Sequence, residues 1–260
     1  MFRYFSSEEK IIDDIIKIEG ADVNHLKNTL RAKTGEEVSI VTSECEYIAN
    51  IISFENDSVV CKIKCKTDTN NEANIHICLC QGLPKQTKME DIIQQNVELG
   101  VKSFIPLITE RTVVKLNDKS RELKKLDRWR KIAHESSKQS KRNIVPEVED
   151  ILTVNELVDR LKKENARIIV PYELEGNKTM KEVLSRHVNS ISHDSNTLND
   201  KANKYYVIIG PEGGFDEKEI IKFQNIGADI VTLGKRILRT ETAGIVASSI
   251  ILYEHGEMEV

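Results

Sequence analysis

The chain is short of several things. Aromatic residues make up 5% of its 260 residues, with a single tryptophan, and there are only 5 prolines and 12 glycines. So little Pro and Gly excludes a collagen-like or low-complexity protein. No apolar run approaches the roughly 20 residues that cross a bilayer, charged residues reach 31% and the mean hydropathy is -0.38, so no membrane span is expected. The opening MFRYFSSEEKIIDD lacks the basic, apolar and small-residue order of a secretion signal. A cytoplasmic location, where thiols stay reduced, is therefore expected. The five cysteines are odd in number and have no His or Cys partners at ligand spacing, so no metal is expected. Cys61, Cys65, Cys78 and Cys80 sit in alternating apolar segments and read as core thiols. Neither a Walker loop nor a GxGxxG turn occurs, which disfavours a nucleotide phosphate held on a helix N-terminus. No internal repeat is present.

What remains is a chain with 39% apolar residues, enough for a sizeable core and long enough for two domains. Up to about residue 70, VSIVTSECEYIANIISF and DSVVCKIKCK have period-two character, with turn residues at 33–35 and 55–57. A small β-rich domain over 1–70 is expected. TDTNNEAN, 67–74, reads as a polar linker. Over 74–260 the texture changes to strands alternating with helices: IHICLCQG, TKMEDIIQQNVELG, SFIPLIT, a basic helix, a helix near 154–163, ARIIVPYE, a helix near 179–187, YYVIIG, EKEIIKFQN, DIVTLG and a last helix from about Thr240 to Tyr253. Such alternation implies a parallel sheet covered on both faces. The polar stretch 189–204 reads as a mobile surface insertion.

The net charge is -4, yet from Lys119 to Arg142 ten Lys or Arg face three Asp or Glu. Leu123, Leu126, Trp129 or Arg130, and Ala133 recur there at helical spacing, so one stripe can pack while the basic faces stay outside. Two readings stand: a solvated helix face or a phosphate-binding surface.

Two glycine-bearing loops follow consecutive strands near the end of the chain. GPEGGFD begins at Gly210 and LGKRILRTETAG at Leu233. In an open α/β sheet, ligands collect beyond the carboxyl ends of the strands. Asp216 with Glu219 has the spacing of a capping box, so the helix after the first loop supplies its own acceptor for the orphan amides. What the loops offer instead is flexible backbone flanked by Phe215, Leu233, Ile237 and Leu238, which suits an adenine and a sulfonium-bearing ligand. The glycines could equally be plain turn formers.

GPEGGF followed by LGKRILRTETA resembles the signature of RsmE-type methyltransferases of the SPOUT superfamily. The resemblance runs along nearly the whole chain and takes in RYF, HLKNTLR at 25–31, Lys85, TKMEDIIQQNVELGV, TERTVV, and Arg128-Trp129 with Glu135, Gln139 and Arg142. TERT, ESSKQS and the 189–204 insertion depart mildly from the family pattern. The resemblance implies an α/β fold in two parts: an amino-terminal PUA-like β-barrel that binds RNA, and a SPOUT domain with a carboxy-terminal trefoil knot. It implies S-adenosylmethionine as cofactor, a homodimer, and methylation of uridine N3 in 16S ribosomal RNA, within the assembled small subunit.

Carried onto this chain, the resemblance gives Gly210, Glu212, Gly213 and Gly214 one wall of the cofactor site. Leu233, Gly234, Ile237, Leu238 and Thr240 form the other, with Leu174 as a cover. Arg239 and Glu212 are the candidate catalytic residues. Arg239 would contact RNA phosphate or stabilise the uracil anion; its alternative is an ion pair with Glu241. The N3 proton has three candidate acceptors: Glu212, Glu241 and water. Arg3, His25, Arg31, Lys85, Arg128, Lys138 and Arg142 form the expected RNA-binding set, with ordinary surface charge as the alternative for the arginines and packing for His25. Two other functions are open at this point: ribose 2′-O-methylation by a SPOUT enzyme, and RNA binding without catalysis.

Overall fold

The structure is a computed structural model and describes residues 1–113, 119–193 and 203–259, with side chains left aside at 188–193. The chain divides into two compact units: Met1–Glu72 with Ser137–Val145, and Ala73–Ser136 with Pro146–Val260.

The first unit is a mixed five-stranded sheet of β1 (Phe2–Phe5), β2 (Ile15–Glu19), β3 (Glu37–Val41), β4 (Glu46–Phe54) and β5 (Ser58–Thr67), in the order β1-β3-β4-β5-β2. β1 runs parallel to β3 and the other pairs are antiparallel. A short helix, α1 (Ala21–Asn24), continues into one π turn at His25–Thr29. Alternate residues, among them Tyr4, Ile16, Ile18, Val38, Ile40, Ala49 and Ile51, build the core, as period-two patterning requires. The segment expected to be a linker is pinned. Glu72 accepts both arms of the Arg142 guanidinium, at 3.1 and 2.6 Å, and the amide of Asn143 at 2.8 Å. Asn71 donates to the Lys141 carbonyl at 2.8 Å. Cys61 is buried in this core, which pushes its thiol up to about 12. Cys65, expected inside, is exposed: it lies where β5 runs past the core.

The second unit holds a parallel sheet of β6 (His76–Gly82), β7 (Ser103–Ile108), β8 (Glu147–Val148), β9 (Leu152–Thr153), β10 (Arg167–Pro171), β11 (Lys204–Ile209) and β12 (Asp229–Val231). The order is β12-β10-β11-β6-β7-β8, with β9 also on β7. Each central strand feeds both faces. Tyr205, Val207 and Ile209 join the core beneath α2 (Lys88–Leu99), α3 (Lys119–Gln139), α5 (Met180–His193) and α7 (Thr240–Glu254). Tyr206 and Ile208 join the core beneath α4 (Val154–Leu161) and α6 (Glu217–Asn225).

Local signals explain the helix ends. Thr153 with Glu156, and Asp216 with Glu219, form complete capping boxes. α2 closes on Gly100 in the left-handed region. α5 extends to His193 and Lys204 already belongs to β11, so both edges of the expected 189–204 insertion are regular structure. Residues 194–202 lie outside those described. On α3, Leu126, Trp129 and Ala133 are buried as the spacing requires, whereas Leu123 is exposed.

Candidate active site

At the carboxyl ends of β10, β11 and β12 lies a cavity of about 500 Å³. Three loops build it: 171–173 after β10, 209–215 after β11 and 232–241 after β12, with Lys88 from the start of α2 and Ala243 from α7. Of the expected cofactor residues, Gly210, Glu212, Gly214, Leu233, Gly234, Ile237, Leu238 and Thr240 all line it. Gly213 and Leu174 do not; Tyr172 and Glu173 stand where Leu174 was expected. Leu174 is 77% exposed, and Ile237, at 86%, belongs to the rim.

The two glycine loops are tied together from below. The Thr240 hydroxyl donates to the Gly210 carbonyl at 2.6 Å, and the fully buried Gln81 amide donates to Thr240 Oγ1 at 2.8 Å. Gly214 has φ +66°, and a Cβ added there would run into the Glu173 carboxylate. Glycine is favoured in that conformation and leaves the space beside Glu173 open. The neighbouring Gly213 carbonyl accepts from Arg111 at 3.1 Å.

The two candidate catalytic residues differ. Arg239, the residue before α7, is 84% exposed and reaches Glu241 only at 4.0 Å. Its guanidinium is therefore free to meet a ligand at the rim, and the ion-pair reading is the weaker one. Glu212 accepts the Lys85 amide at 3.0 and 3.2 Å and faces the Lys88 ammonium at 3.3 Å. Partial burial raises its carboxyl, but the amides of Glu212 and Lys85 and the Lys88 charge outweigh this and hold it below the ordinary value. A carboxylate so stabilised is a weak base, and the geometry gives Glu212 a structural task instead. Lys88, which sequence reasoning passed over, also meets Glu241 at 3.3 Å.

The expected RNA-binding residues scatter. Arg31, with φ +51°, Lys85 and Arg128 are exposed, although Arg128 also meets Glu90 at 2.6 Å. His25 is half-buried in the π turn. Arg3, Lys138 and Arg142 depart from the expectation. Arg3 pairs with Glu46 with both side chains 8% exposed, Lys138 meets Asp22 at 2.5 Å, and Arg142 is buried on Glu72. Their charges are consumed inside the first unit, so they are not open to phosphate.

A parallel α/β sheet with a ligand-sized cavity built from glycine loops at its strand ends defines a nucleotide- or cofactor-dependent enzyme of the α/β class. Residues 71–252 match the family described as RNA methyltransferase domain. The chain is 36% identical over 238 residues to ribosomal RNA small subunit methyltransferase E of Bacillus subtilis strain 168, covering 91% of this chain and 89% of that protein. A ribosomal RNA small subunit methyltransferase E from Neisseria gonorrhoeae bound to S-adenosyl methionine superposes with TM-score 0.81 at 28% identity, covering 97% of each chain. A putative methyltransferase from Legionella pneumophila, in complex with the bound cofactor SAM, gives TM-score 0.81 at 29% identity over 97% of each. The chain belongs to the RNA methyltransferase domain family and, within it, to the ribosomal RNA small subunit methyltransferases E.

Proposed function

We propose that the chain transfers a methyl group from S-adenosylmethionine to N3 of one uridine in 16S ribosomal RNA, acting on the assembled small subunit in the cytoplasm. The observation that carries this reading is the cavity. Its volume of about 500 Å³ falls within the roughly 300–1,000 Å³ of small-ligand sites. It offers loop backbone at Gly210, Gly214 and Gly234 beside the apolar Leu233, Leu238 and Phe215, which fits an adenine and an amino-acid tail.

When bound, the cofactor supplies an electrophilic methyl on a sulfonium sulfur. The chain's own residues prepare the other partner. Uracil N3 carries a proton on its Watson–Crick edge, so the nucleotide must be unpaired or flipped out, and N3 becomes nucleophilic only as that proton leaves. Arg239 at the rim stabilises the uracil anion with fixed donors. Glu212 is held as a charged, amide-bonded part of the wall, so the proton passes to Glu241 or to solvent. Phe215 and Leu238 keep bulk water from the transfer.

The remaining parts of the reading follow from the motif resemblance and from exposure. The second unit carries the trefoil knot, and the first is the PUA-like RNA-binding barrel. RNA phosphates are met by Arg31 in the first unit, and by Lys85, Arg128 and the exposed Lys124, Lys125 and Lys131 of α3 in the second. The homodimer is supported by α7, where Ile245, Val246 and Ile250 are only half-buried and Tyr253 is exposed.

The test is methylation of small subunits from a strain lacking the activity, with nucleosides separated and identified by mass spectrometry. Base-methylated 3-methyluridine is expected, with free rRNA a poorer substrate. A ribose-methylated nucleoside would place the chemistry on the 2′-oxygen and overturn the N3 assignment.

A further inference from the structure

Lys88 opens α2, and its ammonium lies 3.3 Å from Glu212 Oε1 and 3.3 Å from Glu241 Oε2. The two carboxylates come from opposite walls of the cavity. Glu212 lies in the loop after β11, where the Lys85 amide also holds it, and Glu241 lies in the first turn of α7. Both walls therefore meet at one cation on a third element. The strand that leads to it, β6, also abuts the first wall: a Cβ added at Gly82, its last residue, would lie 2.6 Å from the Pro211 ring. Without the cation, two like charges would share a partly dry site and push the loops apart. With it, each carboxylate is drawn to the same point.

We propose that Lys88 is a positioning residue that sets the separation of the two cofactor loops. It touches no reacting atom in this role. The inference rests on the reading of the cavity as the cofactor site.

The experiment measures S-adenosylmethionine binding by calorimetry with the full chain, alongside affinity for an rRNA fragment and the melting temperature. Lys88→Met should weaken cofactor binding about tenfold and leave rRNA affinity and Tm near wild type. Lys88→Arg should restore most of the loss, because it keeps the charge and the reach. The decisive comparison is Glu241→Gln in two backgrounds. In the wild type it removes one arm of the brace and should weaken binding. In Lys88→Met it removes one of two repelling charges and should strengthen binding. A loss of the same size in both backgrounds, failure of arginine to restore, or a parallel fall in rRNA affinity overturns the proposal. Gly214→Val separates the brace from the site reading. If that variant still binds cofactor as wild type does, the cavity is not the site and the brace falls with it. If it abolishes binding while Lys88→Met changes nothing, the site stands and the brace alone is refuted.

Discussion

The Thr240 hydroxyl donates to the carbonyl of Gly210 across 2.6 Å, joining the first residue of α7 to the end of β11. Thr240→Val keeps the shape and removes the hydroxyl. It leaves Gly210 without this donor and the Gln81 amide with only the Gly82 carbonyl as acceptor, a cost of about 1–3 kcal/mol for buried groups left unpaired. Weaker cofactor binding and a lower Tm are expected, and Thr240→Ser should preserve both. Calorimetry and a thermal melt on the two variants check this.

Gly214→Val should abolish cofactor binding with the fold retained, because its φ of +66° strains a β-branched residue and the added side chain would push the Glu173 carboxylate at the cavity wall out of place. Gly213→Ala should be much milder. There the added Cβ meets the Arg111 side chain at 3.1 Å, away from the cavity. Equal affinities for the two variants would contradict this ranking.

Arg239→Ala should lower kcat by about 10²-fold, the loss typical of one removed charge-stabilising donor, with cofactor affinity and Tm unchanged because the side chain is 84% exposed. Single-turnover kinetics with saturating subunit separate this from a loss of RNA binding.

The basic stretch should split into two classes. Replacing Lys138 and Arg142 by Ala removes one partner from each of two buried pairs and should destabilise the first unit by about 3–5 kcal/mol per fully buried pair. Replacing Lys124, Lys125 and Lys131 by Ala should leave Tm unchanged. It should weaken rRNA binding and reduce its salt dependence by about one unit of slope for each phosphate that is no longer neutralised. Melts of both sets and salt titrations of the second decide the matter.

Stability should fall on acidification through the Glu164 cluster. Burial raises that carboxyl, but Lys204, Tyr206 and Arg160 outweigh it and hold it at about 2, against an ordinary value of 4.5. A folded-state value below the unfolded one contributes stability that is complete above about pH 4.5 and is lost as the pH falls toward 2. Asp229, held at about 2 against burial by His187 and Lys178, acts in the same direction. Glu164→Gln should lower Tm at pH 7 and flatten its decline between about pH 5 and pH 2. An unchanged acid slope would remove Glu164 from this account.

The elements set by neighbours in the chain were legible in the sequence. The Thr153–Glu156 and Asp216–Glu219 boxes close over three residues, α2 stops at a glycine because the left-handed region favours one, and the buried strands are continuous apolar runs. The glycine loops were legible too, since flexible backbone after a strand is a local property. Tertiary structure alone decided which charges are free. Arg142 and Lys138 look available when only sequence neighbours are counted, yet Glu72 and Asp22 reach them from 70 and 116 positions away. Lys88 looks like an ordinary helix-start lysine, because Glu241 lies 153 positions off. Helices and turns are specified by residues three or four positions apart, whereas an ion pair is specified by whatever the fold brings within 4 Å. No periodicity in a sequence records that distance.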